Sequence, residues 1–202
     1  SLAVMIDTGG LTYKDVAKEC LIPFLKKKKI YDLDLVITTH EDYDHAGALY
    51  SLNEQFKIKS YVSSFNSFPL KIGDLVFNNY NNHIDELEEE NDKSLVIGFN
   101  LSKTNYLIMG DAPISIEKKI MEEYSSIPCD ILKVGHHGSD TSSYRPFLEY
   151  LSPKEAVISC GLNNKFGHPH QTVINSLKKL GIKIRRTDLS GTISYKNYIF
   201  ND

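Results

Sequence analysis

The chain has 202 residues, of which 41% are hydrophobic and 24% are charged, and this balance excludes a largely disordered protein. Its uninterrupted apolar runs are about five residues long, far short of the roughly 18 to 20 that a membrane-spanning helix requires, and no leader-like segment opens the sequence. We therefore expect this fragment to be soluble. The 23 Lys and Arg against 26 Asp and Glu give a net charge of −3, which disfavours a protein that holds nucleic acid by phosphate neutralisation alone.

The first half of the chain begins with an apolar run that predicts a strand and a turn at Asp7-Thr8-Gly9. Because nothing leads into this strand, we expect a fragment that lacks the first strands of the full domain. A helix interrupted at Pro23 is predicted next, because its apolar residues recur at helical spacing. Hydrophobic periodicity places this helix over 12–30. It then predicts a strand over 33–38, a helix over 48–56 and two short strands within 60–82.

The second half alternates strands and helices more regularly. The predicted elements are a hairpin of 94–100 and 106–109, a helix over 114–124, a strand over 131–134, a helix over 144–151, a strand over 156–159, a polar loop over 160–170, a helix over 172–180 and two or three terminal strands. This alternation predicts an α/β fold, specifically a four-layer αββα sandwich in a single domain spanning residues 1–202.

Six of the seven histidines lie in three loops, and each loop follows a predicted strand. The three pairs are His40 with His45, His136 with His137, and His168 with His170. Loops at strand ends are where α/β folds place their sites. The segment His40-x-Asp42-x-Asp44-His45 offers four metal-binding side chains within six residues, and so dense a group of acids and imidazoles predicts a metal site.

The same segment, extended to Gly47, resembles the H-x-[HD]-x-D-H signature of the metallo-β-lactamase superfamily. Other motifs follow in the family's order: Asp7-Thr8-Gly9, Gly110-Asp111 and Gly135-His136-His137-Gly138-Ser139. Within that superfamily, the chain resembles most specifically the C-terminal domain of the ComEC/Rec2 competence proteins. Four features carry this narrower resemblance: Asp at the second ligand position, the His-His-Gly-Ser motif, the stretch from Asn163 to His170 and the closing Arg186-Thr187-Asp188.

The resemblance implies two adjacent divalent metal ions. It assigns His40 and Asp42 to one ion, assigns Asp44, His45 and either His136 or His137 to the other, and makes Asp111 the bridging carboxylate. Asp7 would be a ligand or would support one. The sequence departs from the family pattern at one position, because the expected histidine before Ser94 is absent. Glu90 and Asn91 are the candidates to replace it.

The ligand types indicate the chemistry. Two metal ions that share a water can lower its pKa and stabilise both oxygens of a phosphodiester displacement. Because Asp42 supplies a hard oxygen donor, the site favours Mn²⁺ more than an all-histidine site would. Zn²⁺ is the alternative. Side chains beside the ligands are expected to contact substrate, with Asp44 and His168 taking part in catalysis. The expected substrate contacts are Ser139, Asn163, Lys165 and His170, and the expected cationic attraction comes from Lys133, Lys165, Arg185 and Arg186.

Three functions compete at this point. The resemblance favours a nuclease or phosphodiesterase that degrades one DNA strand during uptake of transforming DNA, with DNA and a membrane-channel portion of the parent protein as partners and no nucleotide cofactor. The parent would tether this domain to the cell membrane on its extracytoplasmic side. The alternatives are a small-molecule hydrolase such as a lactonase or β-lactamase, and a catalytically weak module that guides DNA.

Overall fold

The computed structural model describes residues 2–82 and 89–195. Its strands are β1 (Val4–Ile6), β2 (Asp32–Leu33), β3 (Leu35–Ile37), β4 (Lys57–Ile58), β5 (Tyr61–Val62), β6 (Leu70–Ile72), β7 (Leu75–Asn79), β8 (Ile97–Leu101), β9 (Thr104–Ile108), β10 (Ile131–Lys133), β11 (Glu155–Ile158) and β12 (Lys183–Arg186). Its helices are α1 (Ile22–Lys27), α2 (Tyr43–Ala46), α3 (Leu49–Gln55), α4 (Ile114–Glu123), α5 (Arg145–Leu151), α6 (Gln171–Lys179) and α7 (Thr187–Ser190).

Two sheets organise the described residues. The larger has the strand order β12-β11-β10-β9-β8-β7-β6, in which β9 to β12 run parallel and β6 to β9 pair in antiparallel fashion. The smaller sheet, β1-β3-β5, is parallel throughout. A separate parallel pair joins β2 to β4.

Alternating side chains on the strands explain how the layers stack. Leu35 and Ile37 of β3 share a buried cluster with Phe77 of the larger sheet, so this cluster lies between the two sheets. Val36, which points the opposite way along β3, packs in a cluster with helical residues of α1 and α3. On the larger sheet, Leu132 and its neighbours pack against residues of α4, α5 and α6. The order helix, sheet, sheet, helix confirms the predicted αββα sandwich.

The helix predicted over 12–30 is shorter than expected. It consists of a π-helical turn over Ala17–Leu21 followed by α1, while Leu11 and Lys14 form an isolated antiparallel bridge before it. Pro23 explains the wide turn, because proline has no N–H to donate to the preceding turn and Ile22 N bonds Ala17 O instead.

One other local prediction was wrong. The segment 60–82 contains three strands rather than two, and these are divided between the sheets: β5 pairs with β3, whereas β6 and β7 belong to the larger sheet. After β12 the chain turns into α7, and the rest of the segment predicted to hold two or three terminal strands lies mostly outside the described residues. Residues 196–202 lie outside the described part. No helix of the described residues is long and apolar enough to cross a membrane.

Candidate metal centre

The acidic and histidine motifs converge because each follows a parallel strand. Asp7 follows β1 and His40 follows β3 in the smaller sheet, while Asp111 follows β9 and His136 follows β10 in the larger one. The loop over 160–170 follows β11. Parallel strands end at the same sheet edge, so the two sheets bring these loops to one cleft.

His45 lies at the middle of the cleft and is 2% exposed. Its Nδ1 is 2.8 Å from Asp7 Oδ2, and its Nε2 is 3.1 Å from Asp111 Oδ1. Burial alone would lower the pKa of His45, but the two carboxylates outweigh burial and raise this pKa to about 9. Asp7 also accepts a 2.7 Å hydrogen bond from Thr39 N. Asp7 therefore orients the imidazole through the nitrogen that faces away from Asp111.

Two groups of potential ligand atoms meet around His45. His40, His45 and Asp111 form a buried group whose ligand atoms lie within 4.8 Å of one another, and Asp44, His45 and His137 form a second group by the same measure. Asp44 Oδ2 and His137 Nε2 are 3.2 Å apart. The hydrogen bond from His137 is the main cause that lowers the pKa of Asp44, so this carboxylate is ionised at neutral pH.

These residues fit divalent metal ions. His40 is buried, and its Nε2 has no hydrogen-bond partner among the described residues; Asp42 Oδ2 is 3.5 Å away. Burial and the neighbouring His45 lower the pKa of His40, so its imidazole is neutral and can act as a ligand. The neutral imidazole of His40 beside ionised carboxylates is a donor set that Zn²⁺ and Mn²⁺ accept, and His45 would release its second proton when a metal ion binds.

A family model described as the metallo-beta-lactamase superfamily matches residues 2–76, which carry the His40-to-His45 loop. The fold is similar to that of the metallo-beta-lactamase fold protein YhfI from Bacillus subtilis, with a TM-score of 0.57 and 10% identity over 91% of this chain and 83% of that chain. Residues 2–76 of the chain therefore match the metallo-beta-lactamase superfamily, and the chain has the metallo-beta-lactamase fold.

Two curated relatives match nearly the whole chain. The chain is 34% identical to "ComE operon protein 3" of Bacillus subtilis (strain 168), over 96% of this chain and 30% of the relative. It is 29% identical to "Competence protein ComA" of Neisseria gonorrhoeae, over 95% of this chain and 29% of the relative. The chain thus spans less than a third of the length of these relatives.

The two adjacent histidines, His136 and His137, contact different groups. His137 Nε2 is 3.2 Å from His45 Nε2, and its Nδ1 is 2.7 Å from Ser159 O. His136 Nε2 is 3.7 Å from Asp111 Oδ2, and its Nδ1 is 3.0 Å from Thr141 Oγ1. His137 therefore lies in the Asp44 and His45 group, whereas His136 approaches Asp111, which His45 and His137 also approach.

The backbone of both histidines is left-handed, with φ of 46° at His136 and 54° at His137. Residues with a side chain rarely adopt this conformation. The flanking Gly138 has φ of +84°, and a Cβ there would lie 2.6 Å from Pro169 Cβ. The close contact with the 160–170 loop thus holds the histidine loop in its unusual conformation.

Glu90 and Asn91 are the candidates for the missing third-motif histidine, and Asn91 begins a 3₁₀ turn over Asn91–Lys93. Its Oδ1 is buried and has no hydrogen-bond partner among the described residues. Glu90, the other candidate, is paired with Lys93 at 2.8 Å. An unpaired buried amide oxygen is a better candidate ligand than a carboxylate that already has a cation.

The expected substrate contacts separate into two sets. Ser139 is buried and accepts a hydrogen bond from Thr141 Oγ1, so it presents no group to a substrate. His170 accepts a hydrogen bond from Asp140 N through Nδ1, and its Nε2 is 3.3 Å from Phe166 O. Both ring nitrogens of His170 are therefore engaged within the protein. Asn163 and Lys165 are exposed on the loop over 160–170.

His168 connects this loop to the metal ligands. Its ring centroid lies 5.7 Å from that of His136 and 6.5 Å from that of His137. Burial, followed by the neighbouring histidines, lowers its pKa, so the ring is neutral at pH 7. Its Nδ1 is buried and has no hydrogen-bond partner among the described residues.

Sequence reasoning missed the groups that hold the ligands in place. Thr39 Oγ1 is 3.0 Å from both Asp7 Oδ2 and His40 Nδ1, and Ser94 Oγ accepts a 3.0 Å hydrogen bond from Asp111 N. Histidine ligands usually bond a second partner through the other ring nitrogen. That rule predicts such groups exist, but only the folded structure identifies them.

Of the four residues expected to attract DNA, two are in ion pairs and one has a buried ammonium nitrogen. Lys133 Nζ is buried, Arg185 lies 3.1 Å from Glu155, and Arg186 pairs with Asp188 at 2.6 Å. Lys165 is the one of the four that is exposed with no ion pair among the described residues.

Proposed function

We propose that the chain is a metal-dependent phosphodiesterase domain that hydrolyses DNA. The observation that carries the proposal is the donor set: three carboxylates, Asp42, Asp44 and Asp111, surround the histidines of the cleft. Hard oxygen donors favour Mn²⁺, a metal suited to phosphate oxygens, more than an all-imidazole site would. Zn²⁺ is the alternative that the affinity order favours.

We assign the ligands to two ions. His40 and Asp42 would hold one with Asn91, Asp44, His45 and His137 would hold the other, and Asp111 would face both. When bound, such a pair activates water and offsets the charge that develops on a phosphodiester. Asp7 holds the His45 ring, and Asp111 keeps its charge despite burial because His45 strongly lowers its pKa.

His168 and Lys165 are the proposed substrate contacts beside the ligands. A neutral His168 at pH 7 has one ring N–H to donate to a phosphate oxygen. Lys165 supplies an exposed positive charge on the same loop. With a net charge of −3 on the whole chain, we expect weak DNA binding that falls as salt rises.

The biological role follows from the relatives. Because the curated relatives are competence proteins more than three times as long as the matching region, we propose that this domain acts on one strand of DNA during its uptake by a larger protein. We place it beside the membrane-channel portion of that protein, on the extracytoplasmic side.

One alternative has an observation in its favour. The histidine expected before Ser94 is absent, with Glu90 and Asn91 as the candidates to replace it, and a weaker metal site would favour a module that guides DNA without cutting it. The other alternative, a small-molecule hydrolase with the same fold, differs from the proposed nuclease in the substrates that it hydrolyses.

A substrate panel tests the proposal. The chain is freed of metal with a chelator, loaded with Mn²⁺, Mg²⁺ or Zn²⁺, and given single-stranded DNA, duplex DNA, a phosphodiester reporter, a lactone and a cephalosporin. We expect hydrolysis of DNA and the reporter with Mn²⁺ and none of the cephalosporin. Rapid turnover of the lactone or cephalosporin with intact DNA would replace the nuclease by a small-molecule hydrolase, and intact DNA with bound metal would favour the guiding module.

A further inference from the structure

An exposed aromatic ring lies beside the metal centre without a role in the assignments above. Phe166 is 62% exposed, on the loop over 160–170. Its ring is nearly parallel to that of His168, with an interplanar angle of 17° and centroids 5.7 Å apart. His168 is in turn stacked toward His137 at an angle of 20°. A row of near-parallel rings therefore runs from the ligands to an aromatic face in solvent.

Hydrogen bonds hold the backbone of the loop that carries this ring. Asn164 accepts a 3.0 Å hydrogen bond from His168 N and donates a 2.6 Å hydrogen bond to His168 O. His170 N donates to Gly138 O at 2.9 Å, which joins the loop to the histidine loop of the metal centre. These bonds hold the loop backbone on either side of Phe166, so a stacking ligand would need to displace only the flexible Lys165 side chain that lies over the ring.

The charge next to the ring matches a nucleotide. Lys165 Nζ lies 4.8 Å from the centroid of the Phe166 ring. An aromatic face and an adjacent cation are the two features that single-stranded nucleic acid binders combine, because every base has a stackable face and every nucleotide carries a phosphate.

We propose that Phe166 is a stacking platform for an unpaired nucleobase of the DNA strand whose phosphate lies at the histidines. The proposal rests on the proposed function and deepens it, since it assigns single-stranded DNA as the substrate class. In a duplex each base face is covered by its neighbours and cannot stack on a protein ring. The platform therefore selects single strands or frayed ends, while Lys165 contacts the backbone.

The absence of tryptophan from the sequence provides a direct test. Phe166→Trp creates a single tryptophan at the platform, and an unpaired base stacked on it should quench its fluorescence. The probes are an oligothymidine strand, a strand of equal length made of abasic deoxyribose phosphates, and a duplex. We expect quenching by oligothymidine and little by the other two.

A matched control uses another exposed phenylalanine under a lysine. Phe24, on α1, is 43% exposed and has Lys28 Nζ 5.6 Å from its ring centroid. Phe24→Trp should show no quenching by oligothymidine. In anisotropy titrations, Phe166→Ala should weaken oligothymidine binding by roughly 5- to 100-fold and leave binding of the abasic strand unchanged, whereas Phe24→Ala should change neither.

The outcomes separate this proposal from the nuclease proposal. Quenching and Phe166-dependent binding in a protein that cuts no DNA would support the platform and reject the nuclease. Cleavage of DNA by a Phe166→Ala variant with unchanged affinity for oligothymidine would support the nuclease and overturn the platform.

Discussion

Replacing Glu117 with glutamine should remove a pH-dependent part of the folding free energy. Glu117 lies on α4 and is 1% exposed. Its carboxylate oxygens accept 2.7 Å hydrogen bonds from Ser143 N and Tyr144 N, directly after the loop that bears the metal-centre histidines. Burial disfavours the charged form more than these two bonds favour it, and the pKa of Glu117 rises to about 7.

The sign of the pH effect follows from this rise. In the unfolded chain Glu117 titrates near 4.5, so between about pH 4.5 and 7 the folded state binds a proton that the unfolded state has released. Its contribution to stability is complete below the unfolded pKa and is lost as pH rises through 7. At about 1.4 kcal/mol per pKa unit, the loss is about 3 kcal/mol.

Urea unfolding of the metal-free protein, followed by far-ultraviolet circular dichroism between pH 4.5 and 8, measures this effect. The free energy of unfolding of the parent should fall by about 3 kcal/mol relative to that of Glu117→Gln across this range. Glu122→Gln, on the exposed side of the same helix, should run parallel to the parent. Parallel curves for the parent and Glu117→Gln would refute the assigned pKa.

Two further substitutions test the support of the metal ligands. Asp7→Asn removes the carboxylate charge opposite His45 Nδ1, and we expect metal affinity measured by calorimetry to fall about 10- to 100-fold; unchanged affinity would contradict the orienting role. Gly138→Ala places a Cβ at a φ of +84° and 2.6 Å from Pro169 Cβ, so its free energy of unfolding should fall by more than about 2 kcal/mol. Gly73→Ala also has a positive φ but meets nothing within 4 Å, so it should lose less; equal losses would show that the contact with Pro169 is unimportant.

Much of the fold could be predicted because the alternation of apolar residues is local. The run that contains β3 is buried on both faces, as expected for a parallel strand between two layers. The division of β5 and β6 between two sheets could not be predicted, because it depends on long-range pairing with β3 and β7. The late start of the predicted helix, at Ala17 rather than residue 12, depends on the bridge between Leu11 and Lys14, which helical spacing does not reveal.

The candidate site, like the fold, could be predicted from the sequence only in part. The ligand candidates were evident because His40, Asp42, Asp44 and His45 lie within six residues. Which of the two adjacent histidines joins them depends on the left-handed backbone of the loop, and hydrophobic patterns carry no information on that. The burial of Lys133 and the pairing of Arg186 also depend on neighbours from elsewhere in the chain.

The metal content of a single substitution tests the central claim most directly. Asp44 is assigned as a ligand beside His137, and Asp74, exposed in the turn between β6 and β7, provides the same chemical change away from the cleft. After loading with Mn²⁺ and desalting, elemental analysis should find two ions per chain in the parent and in Asp74→Ala, and at least one fewer in Asp44→Ala. Equal metal content in Asp44→Ala and the parent would contradict the assignment of the metal centre.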